Sequence, residues 1–502
     1  MNLSDKAKTG ILLLGTRTAL SKAMATASMV VLARLLSPSD FGIQAIAGSV
    51  WQSILAVSGT NGIGASIIHC QKDVEKFSTA AFWLNLLIAV CVILLTWIFA
   101  PSVASFFNID IIAPILLIMS AGYFFNILCF VHCTLLEKEL EYVKITTIET
   151  SLEIFARIVV ILMAFWGYGV WSLVIPSVMI TPVRAVIFWW VSPWRPSLRL
   201  ELAYWKEVFN YSKHVLGSNI FSLCNNQWPT LVIGKLAGAS SLGLYTFSYT
   251  LASWPVENIA RVVARIAFPF FSKMQNEASQ TRRKYLKMLF FVSTIGFFLF
   301  ACIIVLGDLA IPFIFGEKWR NAVPLLQLLL IMTFARMLSP ISSQLMFAQG
   351  RPDLDFKIRV IVFPLLMGGV TLGAMKGGII WATAAVAIIN ALGFVVLVIK
   401  ATHLIDLKLR DLFNQIFPAL ACSFLAAFFM FLAEQFLSGL QYNLVLVLVS
   451  SISVGIMIYS VSLFIIFRDK FDEFLFLLPG VGPRIAKFLG TEVGVSYSEV
   501  QP

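Results

Sequence analysis

Residues 31–43 read VLARLLSPSDFGI, and residues 232–244 read VIGKLAGASSLGL. Three aligned positions keep their residue type or charge at one constant offset: Arg34 with Lys235, Leu35 with Leu236, and Gly42 with Gly243. Each copy follows an apolar segment and forms a short turn to the next one. Self-similarity at a fixed offset indicates an internal repeat, so the chain is predicted to contain two similar halves.

The composition predicts whether these halves fold in water or in a membrane. Of the 502 residues, 59% are hydrophobic and only 13% are charged, and the mean hydropathy is +0.88. Soluble domains are about half apolar and about a quarter charged. The composition therefore excludes a soluble protein and predicts an all-α integral membrane protein.

Apolar segments long enough to cross a bilayer recur along the whole chain. A membrane-spanning helix needs about 20 mainly apolar residues, and about 14 segments qualify. They are 11–32, 41–62, 79–101, 111–136, 144–166, 169–191, 212–236, 242–270, 285–306, 320–347, 356–375, 378–400, 411–434 and 442–467. An even number of spans places both termini on the same side of the membrane.

The lysines and arginines predict which side that is. Of 37 such residues, 25 fall in segments on the side of the termini and 5 on the opposite side. Cytoplasmic loops carry the excess of cations in membrane proteins, so both termini are predicted to be cytoplasmic. The formal net charge of +11 is then explained by topology and by anionic headgroups, and no nucleic-acid partner is predicted.

The repeat and the spans together predict two homologous six-helix lobes. The predicted parts are the N-terminal lobe 1–191, a cytoplasmic amphipathic linker 192–211, the C-terminal lobe 212–400, two further helices in 401–467, and a cytoplasmic tail 468–502. Homologous lobes in the same orientation are a common transporter plan, with the substrate site between them near the midplane.

Ten charged residues lie well within the predicted spans, beyond the outermost few residues at each end. The cations are Arg17, Lys22, Arg157, Arg184, Arg261, Arg265 and Arg336. The acids are Glu149, Glu153 and Glu257. Each charge facing lipid at mid-depth would cost about 2.5–3.5 kcal/mol. Most of them are therefore predicted to face a shared wet cavity, whose net charge, seven minus three, is +4.

The spacing of these charges supports a common face. Two sets recur every four residues, which places each set on one side of a helix: Glu149, Glu153 and Arg157 in one, and Glu257, Arg261 and Arg265 in the other. Both sets admit two interpretations, as structural ion pairs or as groups that bind a ligand and orient one another. Arg184 and Glu149 lie near inner helix ends, where a contact with headgroups or the interface is the simpler interpretation.

Four cations have no obvious local counter-charge and are predicted to bind the substrate: Arg17, Lys22, Arg265 and Arg336. Four uncharged amides are predicted to form a polar cavity lining: Asn219, Asn225, Asn226 and Gln227. The amides could instead hold neighbouring helices together by hydrogen bonds.

A cationic interior selects among transport substrates. Arginine binds phosphate and diphosphate oxygens through a bidentate fork, whereas a cation channel would need carbonyl or carboxylate rings. The sequence contains no phosphate-binding GxxxxGK[ST] loop for ATP hydrolysis, its four histidines are scattered, and its outer loops are short for an enzyme site. No metal, no cofactor and no enzymatic activity are predicted.

Four stretches of the chain match a known family: VLARLLSPSDFG (31–42), EKELEYVKITTIETS (137–151), GKLAGASSLGLYTFSYTLASWPVENIARVVARIAFPFFSKMQ (234–275) and FGEKW (315–319). At these stretches the chain resembles the Wzx-type flippases of lipid-linked oligosaccharides, and most closely their colanic-acid-exporter-like branch, in the multidrug/oligosaccharidyl-lipid/polysaccharide exporter superfamily. The resemblance covers the chain from the first span to the loop before the tenth.

The resemblance implies fourteen helices in two six-helix lobes around a cationic cavity with alternating access. The implied substrate is a polyprenyl-diphosphate-linked sugar repeat, moved from the inner to the outer leaflet of the bacterial plasma membrane. It also implies coupling to H⁺ or Na⁺ and partners among polysaccharide polymerase and assembly proteins. Arg17 lies where related flippases place a headgroup-binding cation. Arg157 would then hold the diphosphate or an acidic sugar, and Glu153 would orient Arg157 and exchange a proton.

Three other functions remain open. A multidrug antiporter of the same superfamily is disfavoured by the cationic interior. A membrane glycosyltransferase or polymerase is disfavoured by the short outer loops. A scaffold in a polysaccharide assembly complex would not need the charged interior.

Overall fold

A computed structural model describes residues 21–58, 60–274 and 277–469, and these residues form helices and connecting turns without strands. The α-helices are α1 (21–35), α2 (Pro38–Ser58), α3 (Thr60–His69), α4 (Val74–Phe107), α5 (Ile112–Lys138), α6 (Tyr142–Phe165), α7 (Trp171–Val191), α8 (Leu202–Pro255), α9 (Arg261–Lys273), α10 (Ala278–Phe315), α11 (Val323–Ala348), α12 (Pro352–Leu404), α13 (Leu409–Gly439) and α14 (Leu444–Ile466). A π-helical segment, Val256–Ala260, precedes α9, and a 3₁₀ segment, Glu317–Ala322, precedes α11.

The helices follow the predicted spans closely. Every predicted span falls on helix over its described length except for one or two residues at some ends, as at 169–170 and 442–443, and 11–20 lie outside the described residues. Eight of the described helices, counting the 3₁₀ segment with α11, are long and apolar enough to cross a membrane. The all-helical membrane class is thus confirmed. The number of fourteen crossings and the cytoplasmic side of the termini stay predictions.

Two predicted turns lie inside what is otherwise continuous helix. Gly238 interrupts α8 with a φ of 82°, and Gly377 and Gly378 interrupt α12. Gly378 has a φ of 65°, a conformation that glycine adopts without steric cost. These breaks divide α8 and α12 at the two places where the sequence predicts one span to end and the next to begin.

The described residues belong to two compact units. The first is Met1–Thr246 with Ala374–Ile379, and the second is Phe247–Gly373 with Ile380–Pro502. The division between Thr246 and Phe247 lies within α8. The homologous-lobe boundaries given above stay a prediction.

In the first unit, α5 is the central helix. It packs along α4 and α7 and also contacts α2 and α3. One buried cluster between these helices contains Ile63, Phe77, Phe82 and Val131. Because α5 is surrounded in this way, its residue Asn126 can be reached by Arg184 of α7.

In the second unit, α10 packs against α11 and α13, and α13 packs along α14. Trp319 of the 3₁₀ segment is fully buried and stacks on Phe247 with ring centroids 4.0 Å apart. The Ser248 hydroxyl donates a hydrogen bond of 2.8 Å to the Ala322 carbonyl. These contacts fix the start of α11, the helix that carries Arg336.

The two copies of the repeat meet each other within the first unit. A Cβ built on Gly42 would lie 1.8 Å from the carbonyl oxygen of Ala239, and one built on Gly243 would lie 1.7 Å from the carbonyl oxygen of Pro38. Pro38 and Ala239 occupy equivalent positions of the two copies. Each glycine therefore packs on the carbonyl of the other copy, so the contact, which we call the repeat seam, is reciprocal.

Candidate functional site

The acidic and basic residues of α6 form the ion pair that their spacing predicts. Arg157 Nη2 lies 2.5 Å from Glu153 Oε1, and the hydroxyl of Ser21 donates to Glu153 Oε2 at 2.8 Å. The carboxylate therefore holds residues of α1 and α6 together. Arg157 Nε is buried without a hydrogen-bond partner in the described structure, so the guanidinium keeps an unused donor.

Glu149, the third member of the predicted set on α6, pairs outside its own helix. Its Oε1 accepts hydrogen bonds from Arg184 of α7, 2.6 Å from Nη2 and 2.8 Å from Nε. Arg184 Nη1 donates to Asn126 Oδ1 of α5 at 2.8 Å, and its guanidinium lies 5.5 Å from the ring centroid of Phe188. Sequence reasoning places Arg184 at the headgroups, but the structure fixes it between three helices.

Arg184 lines a cavity of about 840 Å³ in the first unit. The cavity lies among α2, α3, α5, α7 and α8, and its polar lining residues are Gln52, Ser58, Tyr123, Asn126, Thr134, Glu137, Arg184, Asn226 and Gln227. Ligand pockets of this kind run from about 300 to 1,000 Å³. Two of the four amides predicted to line a cavity, Asn226 and Gln227, are in its wall.

A second polar cluster lies in the second unit around Arg336 of α11. Arg336 Nη1 donates to the Tyr249 hydroxyl at 2.8 Å and to the Ser253 hydroxyl at 3.1 Å, and its Nη2 lies 3.7 Å from Glu257 Oε1. Glu257 Oε2 lies 2.5 Å from Arg261 Nη1. Two cations thus share one carboxylate, and this group has a net charge of +1.

The backbone around Glu257 is unusual. Glu257 lies in the π-helical segment Val256–Ala260, and α9 begins at Arg261. Such segments inside helices are frequent at functional sites. The predicted span 242–270 is thus helical throughout, with a π-helical segment where its charged set begins.

The sequence also predicts five other site residues: Arg17, Lys22, Asn219, Asn225 and Arg265. Lys22 is exposed on α1, and Asn225 Oδ1 is buried without a hydrogen-bond partner in the described part of the chain. Arg265 and Asn219 lie on α9 and α8, but their side chains are outside the described structure, as is all of Arg17. Within the described residues, no group of three or more metal-ligating side chains occurs.

The fold is that of known membrane exporters. The structure of lipid II flippase MurJ in an inward closed conformation matches with a TM-score of 0.74 at 15% identity, over 91% of this chain and 99% of that one. An inward-facing multidrug resistance MATE family transporter of the MOP superfamily matches with a TM-score of 0.61 at 13% identity, over 77% and 94%. At these identities the likeness defines the class of fold.

The sequence comparison defines the family. The model of the family described as "Polysaccharide biosynthesis protein" matches residues 31–324, and the chain belongs to this family. Three curated relatives have 26–28% identity to it. They are the succinoglycan biosynthesis transport protein ExoT of Rhizobium meliloti (28%, 91% of this chain and 92% of the relative), the lipopolysaccharide biosynthesis protein WzxC of Escherichia coli (27%, 78% and 80%), and the teichuronic acid biosynthesis protein TuaB of Bacillus subtilis (26%, 71% and 74%).

These comparisons confirm the resemblance that the sequence indicates: the chain is a polysaccharide biosynthesis protein by family, with the fold of the lipid II flippase and MATE structures.

Proposed function

We propose that this protein is a flippase for a polyprenyl-diphosphate-linked oligosaccharide repeat unit. It moves the repeat unit from the inner to the outer leaflet of a bacterial plasma membrane, where surface polysaccharide is assembled. The observation that supports this most directly is a large polar cavity, with amides, hydroxyls and Arg184 in its wall, in a chain of the polysaccharide biosynthesis family.

The proposed topology has fourteen crossings in two six-helix lobes, with both termini in the cytoplasm. The 25 to 5 distribution of lysine and arginine supports this orientation. The helix breaks at Gly238 and at Gly377 and Gly378 support it as well, because each supplies a turn between two crossings.

The proposed mechanism is alternating access, with the diphosphate bound by arginine and the polyprenyl tail left in lipid. Arg336 and Arg261 share the single carboxylate of Glu257, so this cluster keeps a positive charge that can attract a diphosphate. Arginine is suited to this because its planar fork binds two phosphate oxygens at once. Arg17, Lys22 and Arg265 are proposed as further binding cations.

The pair of Glu153 and Arg157 is the proposed coupling element. Arg157 Nε is buried without a partner in the described structure. It can therefore donate a hydrogen bond to a phosphate or sugar oxygen of the substrate. Binding there would add a second anion beside the guanidinium, weaken the pairing of Nη2 with Glu153 and favour uptake of H⁺ or Na⁺ by that carboxylate. The substrate and the coupling ion would thus be linked through one ion pair.

A multidrug antiporter is the second candidate, because a MATE transporter shares the fold. Its TM-score is lower than that of the lipid II flippase, and cationic drugs would meet the net positive charge of the Arg336 cluster. The flippase proposal accounts for the higher TM-score, for the positive charge of the Arg336 cluster and for the family. On this proposal the protein is a transporter without catalytic activity, and its neighbours in the membrane are the polymerase and assembly proteins of the same polysaccharide.

Deletion of the gene tests the proposal in cells. Total lipid is extracted, prenyl-diphosphate-linked repeat units are quantified by mass spectrometry, and surface polysaccharide is measured in parallel. Build-up of the lipid-linked repeat with loss of polymer, both reversed by the plasmid-borne gene, is the expected result. Build-up of short material already in the outer leaflet would contradict the flippase and point to a polymerase.

A further inference from the structure

The cavity of the first unit differs in charge from the cationic interior that the sequence predicts. Arg184 is the one cation among its lining residues in the described structure, and Glu137 also lines it. The charge of Arg184 is already balanced by Glu149, whose carboxylate oxygen lies 2.6 Å from Nη2. Counting these three groups, the formal charge is plus one minus two, or −1. Among the described groups, an anion would therefore find no unpaired cation to bind.

The lining has instead the chemistry that recognises uncharged hydroxyl groups. Asn126 accepts from Arg184 through Oδ1, which orients the amide and leaves its N–H donors for a ligand. Asn226 and Gln227, side by side on α8, line the same cavity. Each amide offers both donors and an acceptor, as a vicinal diol requires.

Two aromatic side chains complete the wall. Tyr123 and Phe130 of α5 both line the cavity, and Tyr123 is held by an edge contact with Trp51, with ring centroids 5.6 Å apart. Flat aromatic surfaces suit the apolar C–H faces of sugar rings. From Tyr123 to Glu137 the wall extends over 14 residues, roughly 21 Å of helix at 1.5 Å per residue, which is room for more than one ring.

From this combination of neutral-to-acidic charge, oriented amides and aromatic surface, we infer that the cavity of the first unit is a binding site for uncharged sugar residues, separate from the arginines that bind diphosphate. The inference rests on the proposed flippase function and specifies its substrate: the part of the repeat unit bound here consists of neutral sugars. Uronic acids and other anionic sugars are disfavoured by Glu137.

Saturation-transfer NMR on the purified full-length protein tests this inference. The probes are neutral oligosaccharides of glucose, galactose and N-acetylglucosamine, with glucuronic acid as the charged comparator and farnesyl diphosphate as the sugar-free lipid. The variants are Gln227→Leu, which removes an amide, and Ala65→Leu, which fills the cavity without touching a hydrogen bond. The control is Asn390→Leu on α12, whose amide donates to Val386 of its own helix.

We expect at least one neutral oligosaccharide to bind the wild type and the control more tightly than glucuronic acid does. Loss of one hydrogen bond is worth about 1 kcal/mol, so Gln227→Leu should weaken sugar binding roughly fivefold, and Ala65→Leu should weaken it as well. Farnesyl diphosphate should bind all four proteins alike.

Three results would overturn the inference. Farnesyl diphosphate binding without any neutral sugar would refute the sugar site and leave the flippase proposal standing. Equal sugar binding by the wild type, Gln227→Leu and Ala65→Leu would also refute the sugar site and leave the flippase proposal standing. A preference for glucuronic acid would have the same two consequences. Failure of every probe to bind would refute the proposed function, and the sugar site with it.

Discussion

Adding one methyl group at Gly42 should destabilise the protein far more than such a change usually does in a helix. A Cβ at this position would lie 1.8 Å from the Ala239 carbonyl oxygen, and contacts under 3.0 Å are essentially never observed. The two copies of the repeat would have to separate by at least 1.2 Å, the difference between these values. For Gly243→Ala, against the Pro38 carbonyl at 1.7 Å, the difference is 1.3 Å.

The magnitude follows from which atoms collide. Overpacking typically costs about 1–3 kcal/mol. Here the atoms in the way are backbone, which cannot rotate aside as a side chain does, so the cost should reach the upper end, about 3 kcal/mol or roughly 150-fold in an equilibrium. Gly42→Ala with Gly243→Ala should cost less than the sum of the two, because one separation of the repeat seam relieves both contacts.

The same helix provides the control. Gly48 also lies on α2, and the nearest atom to a Cβ built there is Gln44 Nε2 at 3.8 Å. Gly48→Ala should therefore be neutral or stabilise the protein, since alanine is favoured over glycine in helices by about 1 kcal/mol.

Thermal unfolding in detergent can be followed by the reaction of a thiol dye with the buried cysteines Cys129 and Cys422. Gly42→Ala and Gly243→Ala should both expose these thiols at clearly lower temperature than the wild type, and Gly48→Ala should not. If Gly42→Ala unfolds at the same temperature as Gly48→Ala, the repeat seam is not a close backbone contact.

Three further predictions concern the ion pairs and the packing of the second unit. Arg157→Ala and Glu153→Gln should each reduce polysaccharide export in a complemented deletion strain, because each breaks the 2.5 Å pair; unchanged export in both would remove this pair from the mechanism. Arg336→Ala should weaken farnesyl diphosphate binding, measured by calorimetry, more than Arg336→Lys, which keeps the charge but loses the fork; equal loss would argue against bidentate binding. Trp319→Ala should lower the free energy of unfolding by about 3–5 kcal/mol, since the ring is buried and stacked on Phe247, and a denaturant titration that shows no loss would contradict the packing at the start of α11.

Much of the fold could be predicted because membrane helices leave a local signal. Segments of about 20 apolar residues can be recognised without knowledge of their neighbours, and the helices follow them. The repeat was detectable because Gly42 and Gly243 keep both their type and their offset. That each glycine packs against the other copy could not be predicted, since sequence similarity does not say which surfaces meet.

The candidate site was predictable only where the partners are close in the chain. The i, i+4 spacing gives the pairs Glu153–Arg157 and Glu257–Arg261, and both occur. The partners of Arg184 were not predicted, because Glu149 and Asn126 are 35 and 58 residues away.

The polar partners of Arg336 lie further still along the chain: Tyr249 and Ser253 are separated from it by 87 and 83 residues. The weak charge of the cavity in the first unit could not be predicted for the same reason, because its wall combines residues of five helices that are distant in the chain. Of its polar lining, Arg184 and the amides on α8 gave a signal in the sequence, because they interrupt apolar runs.

Translocation in reconstituted vesicles tests the central claim most directly. Vesicles with and without the purified protein are loaded with a fluorescent short-chain polyprenyl-diphosphate sugar, and dithionite then quenches only the label in the outer leaflet. The flippase account predicts that the protein renders the protected inner-leaflet fraction quenchable, with a slower rate for Arg336→Ala. An identical protected fraction with and without protein, in vesicles where the same protein transports a cationic dye, would contradict the account.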